Sequence, residues 1–327
     1  MTTRREFIAT LGAATALPLV SANAQQRRKP VVGFLNPASP ANYQGEIKGF
    51  EQGLADGGFI AGQDVVIDYR WAEGQLSRLP QLAADLVGQR VDAIVPTAGI
   101  ASTLAAKAAT TTIPIVFAVG TDPVRQGLVS SIHRPGGNIT GLTIMTTELE
   151  AKRIELLSSL AAKGTPIAAL VNGNSPEAEA KVREARMASE RLGARLEVHR
   201  VSGDGDFGAA FESLAGKARL VAFLSDPLFA NKRTRLVELA ARHRIPAVYQ
   251  DRRFAEVGGL MSYGTNLPAI YRLLGAYTAR VLKGERPADL PVQQPTRFEL
   301  VLNLKTAKAL GLEMPATLLA IADEVIE

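Results

Sequence analysis

Short apolar runs alternate with amphipathic stretches from Val31 almost to the end of the chain. The run VVGFL is followed by EIKGFEQGLADGG, in which Ile47, Phe50 and Leu54 recur at helical spacing. Buried strands that alternate with helices are typical of βαβ units around a parallel sheet. The pattern therefore predicts an α/β fold with parallel sheets.

The pattern occurs twice along the chain. Ile113-Pro114 and Ile245-Pro246 each join a predicted helix to an apolar strand, at corresponding places in the two halves. A chain of 327 residues exceeds the usual size of one core, so two Rossmann-like lobes are expected. The predicted division is a signal peptide at 1–24, an N-terminal lobe at 30–143 plus about 266–300, and a C-terminal lobe at 144–265 plus about 301–327.

The N-terminus has the features of an export signal. Arg4-Arg5 precede a short apolar run, and Ala22-Asn23-Ala24 supply the small residues of a cleavage site. The apolar run is too short for a permanent membrane span. We expect cleavage near Ala24 and a periplasmic protein, exported by either the twin-arginine or the general secretory route.

Composition excludes several kinds of site. The chain has no cysteine, so disulfides, thiolate nucleophiles and cysteine-based metal sites are impossible. The net charge is +5, but its basic residues mostly alternate with acidic ones at helical spacing, as in KVREARMASERLGAR. Such a stretch is typical of a solvated helix face, so no nucleic-acid partner is expected.

Motifs for catalysis or cofactor binding are weak. His133, His199 and His243 lack metal-ligand spacing, and neither a nucleophile elbow nor a P-loop occurs. One GxGxxG pattern spans Gly203 to Gly208, but its aspartates would oppose a pyrophosphate and suit the cap of the next helix. We expect no catalytic residue, metal or cofactor.

Polar or small residues stand at the ends of several predicted strands, where open parallel sheets bind ligands. Two such sheets facing each other would form a cleft. Helix capping is an equal alternative for Asp122 and Asp226, each followed by proline, and a core position is the alternative for Tyr249 and Tyr263. The expected ligand contacts are Asn36, Ala98, Gly99, Thr121, Asp122, Asn172, Asp226, Tyr249 and Tyr263.

Several long stretches resemble the periplasmic substrate-binding proteins of ABC transporters, in the family associated with tryptophan and tyrosine uptake. Among them are VVGFLNPASP, IPIVFAVGTDPVRQGLV, RLVELAARHRIPAVY and GGLMSYGTNL. The resemblance implies a type I binding-protein fold, with two lobes joined by three crossovers. It also implies closure on a small solute and delivery to a permease in the inner membrane.

The solute implied by the resemblance is amphipathic, either an amino acid or an aromatic carboxylate. In amino-acid binders of the family an acidic residue meets the ammonium group. Here Pro227 follows Asp226, where such binders more often have asparagine. A monomeric transport component is expected. The alternatives are a sensory module for a membrane receptor, which would share the fold, and an enzyme with a pair of carboxylates.

Overall fold

The computed structural model describes residues 28–147, 149–214, 220–295 and 297–327. The predicted signal peptide at 1–24 lies outside the described residues. Within them, no helix combines the length and apolar character needed to cross a membrane.

The first lobe contains a five-stranded parallel sheet in the order β2-β1-β3-β4-β5. Phe34 and Leu35 on the first strand are fully buried, as expected for a strand covered on both faces. The elements are β1 Val31–Asn36, α1 Gln44–Asp56, β2 Val66–Trp71, α2 Leu79–Gly88, β3 Ala93–Pro96, α3 Ile100–Ala109, β4 Ile115–Val119 and β5 Ile139–Thr143.

The second lobe repeats the βα alternation. Its elements as far as the second crossover are α4 Leu149–Ser158, β6 Ile167–Asn172, α5 Ala178–Arg191, β7 Leu196–Val201, α6 Asp206–Leu214, β8 Leu220–Phe223, α7 Pro227–Asn231, α8 Arg233–Arg242, β9 Ala247–Tyr249, α9 Arg252–Glu256 and β10 Met261–Gly264. The chain ends with α10 Leu267–Leu282, β11 Glu299–Asn303, α11 Leu304–Leu310, α12 Ala316–Ile321 and β12 Glu324–Ile326.

The second sheet has seven strands in the order β12-β11-β10-β9-β8-β6-β7. β11 pairs with β10 in antiparallel fashion and with β12 in parallel, so the last two strands run against the others. The chain passes between lobes after β5, after β10 and before β11. The predicted α/β architecture with two mainly parallel sheets and three crossovers is confirmed, with one antiparallel pair added by the C-terminal strands.

The stretch LFANKRTRLVELAARHR predicts a single helix at 228–244, but the structure divides it into α7 and α8. Lys232 leaves the helical conformation (φ −110°, ψ 20°), which separates α7 from α8. Ser175-Pro176 predicts a helix start, with serine as the cap and proline in the first turn, but α5 begins at Ala178 instead. The Ser175 hydroxyl accepts the N–H of Glu177 (3.4 Å), so the preceding residues form a turn.

Helix α10 returns to the first lobe and packs on α1. Glycine recurs at every fourth position of the chain through α1, at Gly45, Gly49, Gly53 and Gly57. A Cβ atom on Gly53 would overlap the Arg272 carbonyl oxygen of α10. The two helix backbones are therefore in direct contact, a distance that only glycine permits. This contact holds α10 against the first lobe, although the two helices are more than 200 residues apart in the sequence.

Candidate functional site

A cavity that is partly open to solvent lies between the two lobes. In the first lobe its walls come from Tyr43, Tyr271 and residues at the ends of β3, β4 and β5. In the second lobe they come from residues that follow β6, β8, β9 and β10. Ala98 and Gly99 adopt positive φ angles of 58° and 122°, which turn the chain sharply from β3 into α3. Small residues there leave the backbone accessible. We call this space the inner cavity.

Two tyrosines of the first lobe form an aromatic wall of the inner cavity. Tyr43 lies before α1 and Tyr271 on α10, with ring centroids 6.4 Å apart. Tyr43 also contacts Trp71, at 6.0 Å between centroids. Burial raises the pKa of both tyrosines well above the usual value. They remain neutral phenols and present mostly apolar surface to the cavity.

A buried lysine and glutamate stand on the opposite wall. Lys181 donates hydrogen bonds to the Glu177 carboxylate and the Ser225 carbonyl. Burial works against the charge of Lys181, but the carboxylates of Glu177 and Asp226 outweigh it and raise its pKa. The sequence interpretation of this helix face as solvated is wrong for Lys181, whose side chain is 3% exposed. Pairing with Glu177 allows this burial.

Asp226 lies where β8 leads into α7. Its Oδ1 accepts hydrogen bonds from the Leu228 N–H (2.9 Å) and the Asn172 side chain (2.9 Å). The first bond confirms the predicted helix cap, with Pro227 in the first turn. Asp226 is 6% exposed and lines the inner cavity. It also lines a neighbouring cavity, which we call the outer cavity and whose walls include Asn42, Glu73, Asn174 and Lys232. Asp226 therefore caps α7 and lines the cavity at the same time.

An arginine joins the two lobes beside the cavity. Arg253 makes two hydrogen bonds of 2.8 Å to Asp251 in its own lobe and one of 2.6 Å to Glu46 in the other. Its guanidinium also lies 5.4 Å from the centre of the Tyr43 ring. Burial favours the neutral form of Asp251, but Arg253 outweighs this and lowers its pKa. For Glu46 burial dominates and raises the pKa.

A buried ion pair stabilises the ends of three strands of the second lobe. Arg153 is fully buried, 3.1 Å from Glu150 on the same helix. It donates to the Ser225 hydroxyl (2.6 Å), the Tyr263 carbonyl (2.7 Å) and the Gln250 carbonyl (3.4 Å). These acceptors follow or end β8, β9 and β10. One side chain thus fixes the relative positions of three strand ends that border the cavity.

The structure brings several predicted residues together. Ala98, Gly99 and Asp226 line the inner cavity, and Asn172 joins them around the outer cavity. Thr121 reaches across the lobes to Glu177 (3.3 Å). These placements are compatible with ligand contact, which stays a prediction for each residue.

Other predicted residues lie outside both cavities. Asn36 is fully buried and bonds Thr97 (2.9 Å) and the Ala38 N–H, so it shapes the loop after β1. Asp122 caps a turn through the N–H groups of Val124 and Arg125, and the helix predicted to follow it is absent from the described residues.

Two predicted tyrosines also lie away from the cavity walls. Tyr249 is buried in stacked contact with Phe223 and Phe254, at 4.9 and 4.7 Å between centroids. Tyr263 lies on β10 beside Phe298. These positions agree with the core alternative, and ligand contact by Tyr249 or Tyr263 stays a prediction.

Sequence reasoning missed most charged residues of the site. Asp251 and Arg253 come shortly after the strand that ends at Tyr249, so a search for polar residues at strand ends could have found them. Glu177 and Lys181 are four residues apart, a spacing equally common on exposed helices. Tyr271 lies on a helix that returns from a distant part of the chain, and no local signal marks it.

Comparisons with known proteins agree with this architecture. A structure from Vibrio cholerae, described as a conserved domain protein, matches with a TM-score of 0.84 and 26% identity, over 91% of this chain and all of the other. A structure from Streptococcus pneumoniae, described as an ABC domain in complex with L-Trp, matches with a TM-score of 0.82 and 26% identity over the same shares. The type I binding-protein fold is confirmed.

Sequence comparison gives the same assignment. A protein from Clostridioides difficile named tyrosine-binding protein is 26% identical over 266 residues, which cover 81% of this chain and 76% of the relative. The sequence profile described as ABC transporter substrate binding protein matches residues 31–326, nearly all of the described chain. The chain therefore belongs to the ABC transporter substrate-binding protein family.

Proposed function

We propose that the protein binds an aromatic amino acid in the inner cavity and delivers it to an ABC importer. The observation that carries this proposal is the combination of Tyr43 and Tyr271 with a buried set of charged residues in one interlobe cavity. An aromatic amino acid has the same division into ring and charged groups. The names of two relatives, one tyrosine-binding and one in complex with L-Trp, support this choice.

Binding would operate through closure of the lobes. Both lobes supply cavity residues, and Arg253 and Glu46 pair across the boundary. A solute that contacts both walls favours the closed arrangement by its differential affinity for it. The permease would recognise the closed form. A periplasmic location, a cleaved signal peptide and a monomeric state belong to the same proposal.

The direct test is a thermal-shift screen of residues 25–327 against tyrosine, tryptophan, phenylalanine, aromatic carboxylates and small sugars. At about 100 times Kd, a ligand of the folded state adds about 2.7 kcal/mol to stability, so the melting temperature rises by several degrees. We expect this rise with tyrosine or tryptophan. The proposal would be contradicted if the melting temperature rose only with sugars, or if no aromatic compound raised it.

The transport role needs a separate measurement. Loss of uptake of the identified ligand after deletion of the gene, with recovery on complementation, is expected for an importer component. Intact uptake combined with a lost transcriptional or motility response to that ligand would favour the sensory alternative.

A further inference from the structure

We propose that the inner cavity selects its solute by a positive charge, so that it accepts aromatic amines that lack a carboxylate. The ammonium group would pair with Asp226 and the ring would lie against Tyr43 and Tyr271. This inference rests on the proposed function and specifies the chemical class of its ligand.

The first support is the balance of buried charge. Among the described residues in and beside the inner cavity, the buried carboxylates are Glu46, Glu177, Asp226 and Asp251, between 2% and 6% exposed. The cations facing them are Lys181 and Arg253, with side chains 3% and 15% exposed, and the half-buried Arg233 near Glu46. The buried Glu150–Arg153 pair beside them adds one charge of each sign. The acids outnumber the bases there. Buried charge without a counter-charge is costly, so a cationic ligand stabilises this arrangement.

The second support is the pairing within this group. Lys181 pairs with Glu177, and Arg253 with Asp251 and Glu46. Asp226 receives hydrogen bonds only from neutral donors among the described residues, and both reach its Oδ1. No bond among them reaches Oδ2. Asp226 is therefore a nearly buried carboxylate on the cavity wall with one oxygen available to a ligand cation.

The third support concerns a ligand carboxylate. Each nitrogen of the Arg253 guanidinium already donates to an oxygen of the protein. The Lys181 ammonium likewise donates to Glu177 and Ser225. These bonds occupy two of the three N–H groups of Lys181 and four of the five of Arg253, so each cation keeps one for a ligand. A ligand carboxylate would add to the excess of carboxylates, whereas the ligand ammonium reduces it and gains a partner in Asp226.

The experiment compares matched ligands by titration calorimetry on residues 25–327. One set is tyrosine, tyramine and 3-(4-hydroxyphenyl)propionate, and the other is tryptophan, tryptamine and indole-3-propionate. We expect the better-bound amine to lie within about tenfold of its amino acid. The matching acid should bind about 10- to 100-fold more weakly, because it lacks the charge-assisted bond to Asp226.

Substitution of Asp226 tests whether this side chain binds the ammonium group of the ligand. Asp226→Asn keeps a residue that can cap α7 but removes the charge. We expect it to weaken amine binding by about 10- to 100-fold with little change in melting temperature. Asp64→Asn is the matched control, because Asp64 is exposed, accepts the Ile60 N–H (3.1 Å) and lines neither cavity, so its change should leave affinity unaltered.

The outcomes separate the two proposals. Binding of the acid as tightly as the amine, or binding of the amino acid alone, overturns the charge inference and leaves the proposed function standing. Equal effects of Asp226→Asn on amine and acid also overturn it. Absence of binding by every aromatic compound refutes both.

Discussion

Asp251 connects a helix terminus, an ion pair and the lobe boundary through a single side chain. Its Oδ1 accepts the Arg253 N–H (3.1 Å) and so caps α9, while both oxygens bind the Arg253 guanidinium. Arg253 in turn reaches Glu46 in the other lobe. The position of the arginine therefore depends on the charge of Asp251.

Replacement of Asp251 by asparagine should destabilise the protein in a pH-dependent manner. The pKa of Asp251 is lowered in the folded chain, so its charge stabilises the fold above its ordinary value of 3.8. That stabilisation is lost as the pH falls through the lower, folded pKa. Because asparagine can keep the cap but leaves Arg253 without this partner, we expect Asp251→Asn to cost about 3 kcal/mol at pH 7.

Urea unfolding of both proteins between pH 7 and about pH 3 measures this difference, which should shrink towards the acid end. Asp85→Asn is the control, since Asp85 is only half-buried and its side chain accepts one hydrogen bond, from Gln81. It should change stability by less than about 0.5 kcal/mol. A difference for Asp251→Asn that does not vary with pH would show that the ion pair is not its source.

At the scale of elements, the contact between α1 and α10 decides where the C-terminal part of the chain goes. Gly53 faces the Arg272 carbonyl, and Gly275 of α10 faces the Phe50 carbonyl. Glycines on both helices permit this approach, which brings Tyr271 to the cavity wall. The packing of two helices thus supplies half of the aromatic wall.

A single methyl group at Gly53 should disrupt this packing. A Cβ atom there would overlap backbone atoms of α10, so the helices must separate. We expect Gly53→Ala to destabilise the protein by about 1–3 kcal/mol and to weaken ligand binding through Tyr271. Denaturant unfolding and ligand titration measure the two effects.

Gly208→Ala provides the matched helix control. Gly208 lies within α6, and nothing approaches the position of its Cβ within 4 Å. Alanine there should stabilise the protein by about 0.5–1 kcal/mol, through helix propensity alone. If both substitutions stabilised the protein to the same extent, the close contact of α1 with α10 would not exist in solution.

At the scale of the whole molecule, polar contacts across the lobe boundary surround the cavity. Arg233 donates to the Asn42 side chain (3.0 Å), which donates to Asn231 (3.2 Å). Thr121 and Glu177 form another contact, and Arg253 and Glu46 a third. Under the proposed mechanism these contacts stabilise the closed arrangement and must break before the ligand leaves.

Removal of the Arg233 contact should accelerate ligand release. Arg233 lines neither the inner nor the outer cavity, so Arg233→Met should leave the ligand contacts intact. Loss of one hydrogen bond across the boundary is expected to raise the dissociation rate about 3- to 10-fold. Stopped-flow displacement of a bound aromatic amino acid measures this rate.

Arg235→Met is the control, because Arg235 lies on the same helix and pairs with Asp204 within its own lobe (2.9 Å). Its dissociation rate should match that of the unsubstituted protein. If the unsubstituted protein, Arg233→Met and Arg235→Met all released the ligand at the same rate, the contact of Arg233 with Asn42 would not stabilise the closed arrangement.

Polar or small residues at the ends of predicted strands indicated part of the candidate site. We call this the strand-end prediction. It predicted Ala98, Gly99 and Asp226, which lie at the cavity, because strand ends carry a local signal of apolar residues followed by small or polar ones. It selected Tyr249 and not Tyr43 as a ligand contact, although both follow or end apolar runs. Only packing shows that Tyr249 stacks between phenylalanines and that Tyr43 faces the cavity.

The sequence by itself determined the α/β class, the two lobes and most strand positions, because buried strands and amphipathic helices produce local periodicities. Tertiary structure alone decided which charges are buried and paired, because Lys181 and Glu177 have the spacing of a solvated helix face until they meet Ser225 and Thr121. It also decided the return of α10 and the antiparallel β11. These features depend on contacts between distant parts of the chain, which leave no periodic signal in the sequence.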